Sequence, residues 1–153
     1  MPRLARTVFA KVPHHITQRG NRREDVFLTD GDRETYLAWL EDYCQQHGVD
    51  ILAYCLMTNH IHLVAVPATE DALQHVLKPL HMRYAQRFNR QHSMKGHVWQ
   101  GRYFSAPLDE PYLWVRAILK GNVPFFETQK VVLCFQHGAR IVLMTYMPKC
   151  FYG

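Results

Sequence analysis

The sequence predicts a mixed domain in which α-helices cover an antiparallel β-sheet. Residues 49–57 and 60–66 have the composition of strands and are joined by only two residues, which makes them an antiparallel hairpin. Two stretches with apolar residues at helical spacing, 33–47 and one that begins at Asp71, flank this hairpin. With 153 residues and 48% hydrophobic content, the chain can bury a core as one domain without disulfides.

Further strands are expected on both sides of these elements. The first runs over residues 12–19, where Ile16 and Thr17 supply β-branched side chains and Gly20 ends the strand with turn chemistry. A short strand is expected over residues 102–106. Together with the hairpin, these strands supply the predicted sheet.

The two predicted helices have recognisable boundaries. Asp30 or Asp32 can cap the first helix, and Gly48 supplies its stop. The second helix opens at Asp71, and Pro79 is expected to kink it or to delay its start. Its apolar residues form one stripe: Leu73, Val76, Leu77, Leu80, Tyr84 and Phe88.

The C-terminal part of the chain is less regular. Asp109 and Pro111 are typical of a helix start. Beyond that helix, residues 123–153 form a tail in which two apolar runs, 131–135 and 141–144, are candidate strands that carry no recognisable chemistry.

The charge of the chain favours a nucleic acid partner. The formal net charge is +5 and the sequence pI is about 9.1. The basic residues fall in three groups: Arg19, Arg22 and Arg23; Arg83, Arg87 and Arg90; and Lys95 with Arg102. The second group recurs at spacings of four and three, which places it along one exposed edge of the second helix. Such positions are also typical of a merely solvated face.

Nothing in the sequence marks the chain for export or for a membrane. No run approaches the roughly 18 apolar residues of a membrane span, and the first residues lack the apolar segment of a secretory signal. We therefore expect no membrane partner and a cytoplasmic location. The cysteines form no CxxC pair and are expected to be thiols in the packing: Cys44, Cys55, Cys134 and Cys150.

His60 and His62 are the candidate metal ligands. Side chains alternate along a strand, so two histidines two residues apart point to the same face, while Ile61 and Leu63 face the core. Two adjacent imidazoles can bind one metal ion. The alternative reading is a pair of partly buried, hydrogen-bonded histidines, since short motifs also occur by chance.

Aromatic residues are interleaved with the last basic group. Trp99, Tyr103 and Phe104 lie beside Arg102. Single-stranded nucleic acid requires this combination, because phosphates bind cations and unpaired bases stack on rings. The same aromatics could equally belong to the core.

Four blocks of the sequence carry a resemblance to a known family. The chain resembles the single-tyrosine transposases of the HUH nuclease superfamily, in particular the bacterial REP-associated tyrosine transposases, over roughly residues 8 to 116. The blocks are His15–Arg23, Tyr54–Leu63, Arg83–Arg90, and Gly96–Arg102 together with Pro107–Leu113.

This resemblance implies a fold, a substrate and a cofactor. The fold is a small α/β (α+β) domain of the ferredoxin-like HUH nuclease type, with an antiparallel sheet of about four to five strands flanked by helices, usually as a homodimer. Residues 1–122 would form the transposase-like domain. His60 and His62, with a third polar ligand, would hold Mg²⁺ or Mn²⁺. The substrate would be a single-stranded DNA hairpin, cleaved and rejoined through a 5′-phosphotyrosine and contacted by the three basic groups and Trp99.

The sequence departs from this family after Trp114. The family usually reads Arg-Tyr-(Ile/Val)-Glu-x-Asn-Pro, whereas Arg116 here precedes Ala-Ile-Leu-Lys-Gly-Asn-Val-Pro. Ile118 occupies the position of the nucleophile, Tyr112 is the nearest tyrosine, and Asn122 is the candidate third ligand. Codons allowed for this segment, read two bases along, can spell Arg-Tyr-Ile-Glu-Arg, so a frameshift that alters the tail is one hypothesis.

Three functions remain open from the sequence. The first is a DNA strand transferase of the HUH type, either active or inactivated by loss of its tyrosine. The second is a non-catalytic protein that binds single-stranded DNA hairpins. The third is an unrelated hydrolase in which a metal held by His60 and His62 activates water.

Overall fold

The computed structural model describes residues 7–108 and a short strand farther along the chain. Its regular elements are β1 (His14–Arg19), α1 (Asp30–His47), β2 (Val49–Leu56), β3 (His60–Pro67), α2 (Ala72–Gln91), β4 (Phe104–Pro107) and β5 (Val131–Leu133). All strand pairs are antiparallel, in the order β4-β1-β3-β2-β5. The β-α-β-β-α-β succession of the first six elements is the ferredoxin-like arrangement that was predicted.

The two faces of the sheet have different surroundings. Ile16 of β1 and Ile61 and Leu63 of β3 are fully buried in the main core, which also contains the apolar sides of α1 and α2. A smaller cluster comprises Ala53, Cys55, Met57, Val64 and Leu108. Because side chains alternate along β3, His60 and His62 lie on the face away from the two helices, as predicted.

Helix α1 begins three residues earlier than predicted because its cap is Thr29. The Thr29 hydroxyl accepts a hydrogen bond from the Asp32 amide at 3.2 Å, and the Asp32 carboxylate accepts one from the Thr29 amide at 3.0 Å. The prediction that Asp30 or Asp32 is the cap was therefore wrong, although Asp32 completes the capping box. Gly48 ends the helix in the left-handed conformation, with φ +66°, as predicted.

Asp32 also joins α1 to α2. Its carboxylate is 1% exposed and accepts hydrogen bonds from the Leu28 amide at 3.0 Å, from Arg87 at 3.1 Å and from His92 at 2.9 Å. Burial by itself raises the pKa of Asp32. The hydrogen bonds from His92, Leu28, Thr29 and Arg87 outweigh burial and leave that pKa below its ordinary value. One buried carboxylate thus holds the start of α1 against the end of α2.

Helix α2 is continuous through Pro79 and begins directly after Asp71, so the proline does not delay its start. The predicted apolar stripe is confirmed, since all six of its residues are buried: Leu73, Val76, Leu77, Leu80, Tyr84 and Phe88. Neither α1 nor α2 combines the length and the apolar character that a membrane-spanning helix needs.

Three loops meet at Gly20, directly after β1. The Gly20 amide donates to the Asn59 carbonyl at 2.8 Å, and the Asn21 amide donates to the Val98 carbonyl at 2.8 Å. A Cβ atom on Gly20 would overlap the Glu24 carbonyl oxygen, so only glycine allows this approach. The turn that precedes β3 and the segment that precedes β4 are therefore fixed to the same end of β1.

The strand boundaries differ slightly from those predicted. Strand β4 spans Phe104–Pro107 where residues 102–106 were expected, and β1 begins two residues late. The first apolar run of the tail contains β5, which pairs with β2. The second run, the helix start at Asp109 and the domain boundary at residue 122 lie outside the described residues.

Candidate nucleic-acid and metal site

Neighbouring strands bring the candidate ligands and one arginine together. In the pairing of β1 with β3, Thr17 lies opposite His62 and Arg19 lies opposite His60. In the pairing of β1 with β4, Phe104 lies opposite Thr17. Directly paired residues point to the same face, so Phe104, Thr17 and His62 form one row across three strands.

This face forms one wall of an open cavity of about 460 Å³. The cavity is lined by Thr17, Gln18, Arg19, His60, His62, Gln100, Arg102 and Phe104. It therefore combines both predicted metal ligands with two exposed arginines and one exposed aromatic ring.

Asn59 determines the tautomer of the neutral His60 ring. The Asn59 side-chain amide donates to the Arg23 carbonyl at 3.2 Å, which leaves its oxygen facing His60 Nδ1 at 2.6 Å. An amide oxygen only accepts hydrogen bonds, so His60 Nδ1 must donate. The lone pair of the neutral ring is then on Nε2, which receives no hydrogen bond from the described residues.

His15 lies against the Nδ1 atom of His62, and it was not identified from the sequence. The rings of His15 and His62 are nearly parallel, with 5.3 Å between centroids, and His15 Nε2 lies 3.0 Å from His62 Nδ1. With the shared proton on His62 Nδ1, the His62 lone pair is on Nε2, as in most metal-binding histidines whose other nitrogen donates to a partner. The alternation of β1 already placed His15 on this face, but the contact depends on the register with β3.

Burial and positive charge keep these three imidazoles neutral. Burial, followed by His60, His15 and Arg19, lowers the pKa of His62 to about 4. Burial and then Arg19 lower the pKa of His60, and burial lowers that of His15. All three rings are therefore uncharged at neutral pH, which is the state in which imidazole binds a metal ion.

His60 and His62 are suited to hold a divalent cation together. Their ring centroids are 4.9 Å apart. Within residues 7–108 no group of three or more His, Cys, Asp or Glu side chains could hold a metal ion, so a site at this pair would need a further ligand from elsewhere. Cys55 lies opposite His62 on β2, but burial raises its pKa to about 11 and keeps it a thiol.

The first basic group lies at the end of β1. Arg19 lines the cavity, and Arg22 and Arg23 are exposed in the turn that follows. Arg22 and Arg23 have φ angles of +54° and +63°, a conformation uncommon for residues with side chains. The hydrogen bond from Asn59 to the Arg23 carbonyl connects this turn to His60.

The second basic group forms only part of the exposed helix edge that was predicted. The Arg83 guanidinium lies 3.9 Å from the centre of the Trp39 ring, and Arg87 is paired with Asp32. Arg90 is exposed, as is Lys95 in the following loop. The expectation of an exposed edge was therefore wrong for Arg87, which is 29% exposed and paired with a buried carboxylate, whereas Arg83 and Arg90 are exposed.

Trp99 is a core residue and has no free ring face for a base. It is 8% exposed, donates from Nε1 to the His81 carbonyl at 3.1 Å and packs among Tyr36, Tyr84 and His81. The assignment of Trp99 to DNA stacking is corrected on this ground. Tyr103 is likewise buried, whereas Phe104 is 61% exposed.

Three predicted residues of the catalytic segment lie outside the described residues. They are Tyr112, Ile118 and Asn122. The third-ligand and nucleophile assignments therefore stay predictions.

One family model matches most of the chain, and solved structures share its fold. A sequence model described as "Transposase IS200 like" matches residues 8–115. No curated protein matches the chain. One similar solved structure is described as a REP-associated tyrosine transposase bound to a REP hairpin: it is 15% identical, with a TM-score of 0.56 over 80% of this chain and 73% of that one. Another, a candidate transposase from Deinococcus radiodurans R1, is 17% identical, with a TM-score of 0.53 over 78% of this chain and 97% of that one.

Proposed function

Because the chain belongs to the IS200-like transposase family, we propose that it binds a single-stranded DNA hairpin and places one phosphodiester in the cavity beside His60 and His62. The observation that carries this proposal is the make-up of that cavity. Two neutral imidazoles, each with Nδ1 engaged, lie beside the exposed cations Arg19 and Arg102. One of the similar structures holds a REP hairpin, which supports the same substrate class.

The two arginines bind the DNA backbone in this proposal. A phosphodiester carries one negative charge, and a guanidinium can donate two parallel hydrogen bonds to its oxygens. Arg19 lies at the end of β1 and Arg102 lies in the segment before β4, and both line the same cavity. The backbone of that segment is fixed to β1, since the Gln100 amide donates to the Arg19 carbonyl at 2.8 Å.

His60 and His62 would hold Mg²⁺ or Mn²⁺ through their Nε2 atoms. Bound there, a divalent cation would neutralise charge that builds up on the phosphate oxygens during strand cleavage. Two nitrogen ligands suit Mn²⁺ better than Mg²⁺, which prefers oxygen. Asn122 is the proposed third ligand.

Strand cleavage requires a tyrosine, and the sequence does not place one at the expected position. In the proposed reaction the tyrosine oxygen bonds to phosphorus, the bond from phosphorus to the 3′ oxygen breaks, and a 5′-phosphotyrosine and a 3′-hydroxyl result. The reverse attack rejoins the strands. Because Ile118 cannot attack phosphorus, we propose that this chain binds DNA and metal but cleaves poorly or not at all.

A hairpin-binding protein that has no need of a nucleophile is the second candidate, favoured by Ile118 and by the exposed Arg19, Arg102 and Phe104 of the cavity. A water-activating hydrolase has less support. It needs a general base beside the metal, and no carboxylate lines the cavity within the described part of the chain.

Homodimer formation and a cytoplasmic location are further proposals, and sedimentation of the purified protein tests the first.

Binding of a fluorescent hairpin with a single-stranded 5′ extension tests the proposal. Arg19→Gln and Arg102→Gln should each weaken binding about tenfold at low salt and reduce the salt slope by about 0.7. The matched control is Lys11→Gln, since Lys11 is exposed and lies at the Pro67 end of β3, far from His60. Equal losses in all three variants, or equal affinity for a blunt duplex, would contradict a specific single-strand site.

A further inference from the structure

We infer that Phe104 is a stacking subsite for the nucleobase next to the phosphate held at the His60 and His62 pair. The inference rests on the proposed function and adds a second contact to it. The ligand class is an unpaired base in the single strand beside the hairpin stem. The assignment follows from the exposure of the ring, its register, and the charge around it.

The exposure of Phe104 is unusual for its surroundings. Its side chain is 61% exposed, while the neighbouring Tyr103 is 6% exposed and Trp99 is 8% exposed. Leaving a phenyl ring in water costs free energy that a stacked base would recover. Stacking on a phenyl ring needs no particular base, which suits a subsite that holds a strand without reading its sequence.

The register of the sheet places the ring at a useful distance from the metal ligands. Phe104 lies opposite Thr17, and Thr17 lies opposite His62. Neighbouring strands are about 4.8 Å apart, so Phe104 and His62 are separated by about 10 Å along one row of one face. A nucleotide can span this separation, with its phosphate near His62 and a flanking base over Phe104.

The charge around the ring fits a nucleotide better than an apolar partner. Phe104 shares its cavity with Arg102, Arg19 and Gln100. Arg102 is positioned to bind a backbone phosphate, and the side-chain amide of Gln100 can hydrogen-bond to a base edge. A protein partner docking through Phe104 alone would have to desolvate both arginines.

The subsite is held rigidly before any ligand arrives. Phe104 is on a strand paired with β1, and the Gln18 side-chain amide donates to the Gly101 carbonyl at 3.3 Å. The Leu108 amide donates to the Pro13 carbonyl at 2.9 Å at the other end of β4. The ring is therefore carried on a strand that is fixed at both ends.

The test combines ring variants with base deletion. Phe104→Ala should weaken binding of the extended hairpin roughly 5- to 150-fold, the range for loss of one stacked base, whereas Phe104→Trp should retain or improve it. An abasic nucleotide is then moved through the extension one position at a time. At one position the abasic nucleotide should weaken binding to the unchanged protein. With that DNA, the unchanged protein and Phe104→Ala should bind with the same affinity. A 2-aminopurine at that position should be quenched only when an aromatic residue stands at 104.

The control is Met82→Ala, which removes an apolar side chain of similar exposure, 60%, from α2. If the unchanged protein binds no single-stranded extension, the proposed function fails. If it binds but Phe104→Ala and Met82→Ala bind equally well, or no abasic position cancels the Phe104→Ala effect, the stacking subsite fails while the function stands. A change in sedimentation of Phe104→Ala with unchanged DNA affinity would overturn the subsite in favour of a contact between copies.

Discussion

In each of the two candidate ligands, His60 and His62, a hydrogen bond at Nδ1 determines which ring nitrogen is left to bind a metal ion. Asn59 is held by the Arg23 carbonyl and therefore accepts from His60, while His15 lies against the Nδ1 of His62. Neither partner is a carboxylate, so neither adds negative charge that would hold a proton on the rings. Changing Asn59 or His15 should therefore alter metal affinity through the orientation and tautomer of His60 or His62.

Replacing either ligand should reduce metal binding. We expect His60→Ala and His62→Ala each to weaken Mn²⁺ binding at least tenfold, because half of the described ligand pair is lost. Calorimetric or electron paramagnetic titration measures this. His97→Ala is the control, since His97 is exposed in the loop after α2 and does not line the cavity. Unchanged affinity in both ligand variants would remove the site.

His15 should act on the metal through His62. We expect His15→Ala to weaken Mn²⁺ binding about tenfold and to leave the His62 ring in a mixture of its two tautomers. Nitrogen chemical shifts of the ring report the tautomer directly. His15→Gln offers a side-chain acceptor again and should restore part of the affinity. A His62 tautomer that is the same in all three proteins would show that His15 only packs there.

At the scale of elements, the sequence predicted the features that neighbouring residues determine, such as strand faces and helix ends. Alternation along β3 identified which face His60 and His62 occupy, and Gly48 identified the end of α1. Contacts between residues far apart in the sequence could not be predicted, because they depend on strand register and on tertiary packing. The stacking of His15 on His62 joins residues 47 positions apart, and the pairing of Arg87 with Asp32 joins residues 55 positions apart. Trp99 was misassigned for the same reason, since only its packing against α1 and α2 shows that it is core.

The arginines of α2 should separate into a DNA contact and a structural residue. Arg90→Gln should reduce the slope of log affinity against log salt by about 0.7 and leave stability unchanged, because Arg90 is exposed. Arg87→Gln should lower the free energy of unfolding by about 1–2 kcal/mol, since the Asp32 carboxylate loses a charged donor. Salt titrations and urea unfolding of both variants measure this, and the reverse pattern would contradict the assignment.

Asp32 should contribute a pH-dependent part of the stability. We expect Asp32→Asn to cost about 2 kcal/mol at pH 7, because Arg87 and His92 lose their charged acceptor. The pKa of Asp32 is lowered in the folded state, so its contribution is fully present above the unfolded value of 3.8 and is lost as the pH falls through the folded value. The difference in the free energy of unfolding between the two proteins should therefore begin to shrink as the pH falls below about 4, and it should disappear only once the pH is below the folded pKa of Asp32. A constant difference down to pH 2 would disprove the assignment.

For the whole molecule, the family model places the chain among the IS200-like transposases, while the sequence after Arg116 lacks the expected tyrosine. We expect no covalent adduct when the protein is incubated with a labelled hairpin and Mn²⁺ and run on a denaturing gel. Restoring the hydroxyl in Ile118→Tyr should produce an adduct if only the nucleophile is missing. An adduct in the unchanged protein that disappears in Tyr112→Phe would show instead that Tyr112 attacks. Sequencing the gene around codon 116 tests the frameshift hypothesis independently.

The meeting of three loops at Gly20 determines how the molecule encounters its ligand. The backbone bonds from Gly20 to Asn59 and from Asn21 to Val98 connect segments that together carry Arg19, His60 and Arg102. These amide hydrogens should exchange with solvent more slowly than those of exposed loops, because each is bonded to a backbone carbonyl of another segment. If the cavity binds DNA as proposed, its described residues are in place before the ligand arrives, and little of their conformational entropy should be lost on association. Encounter should consequently be limited by diffusion and electrostatic attraction, with no slow ordering step in the kinetics.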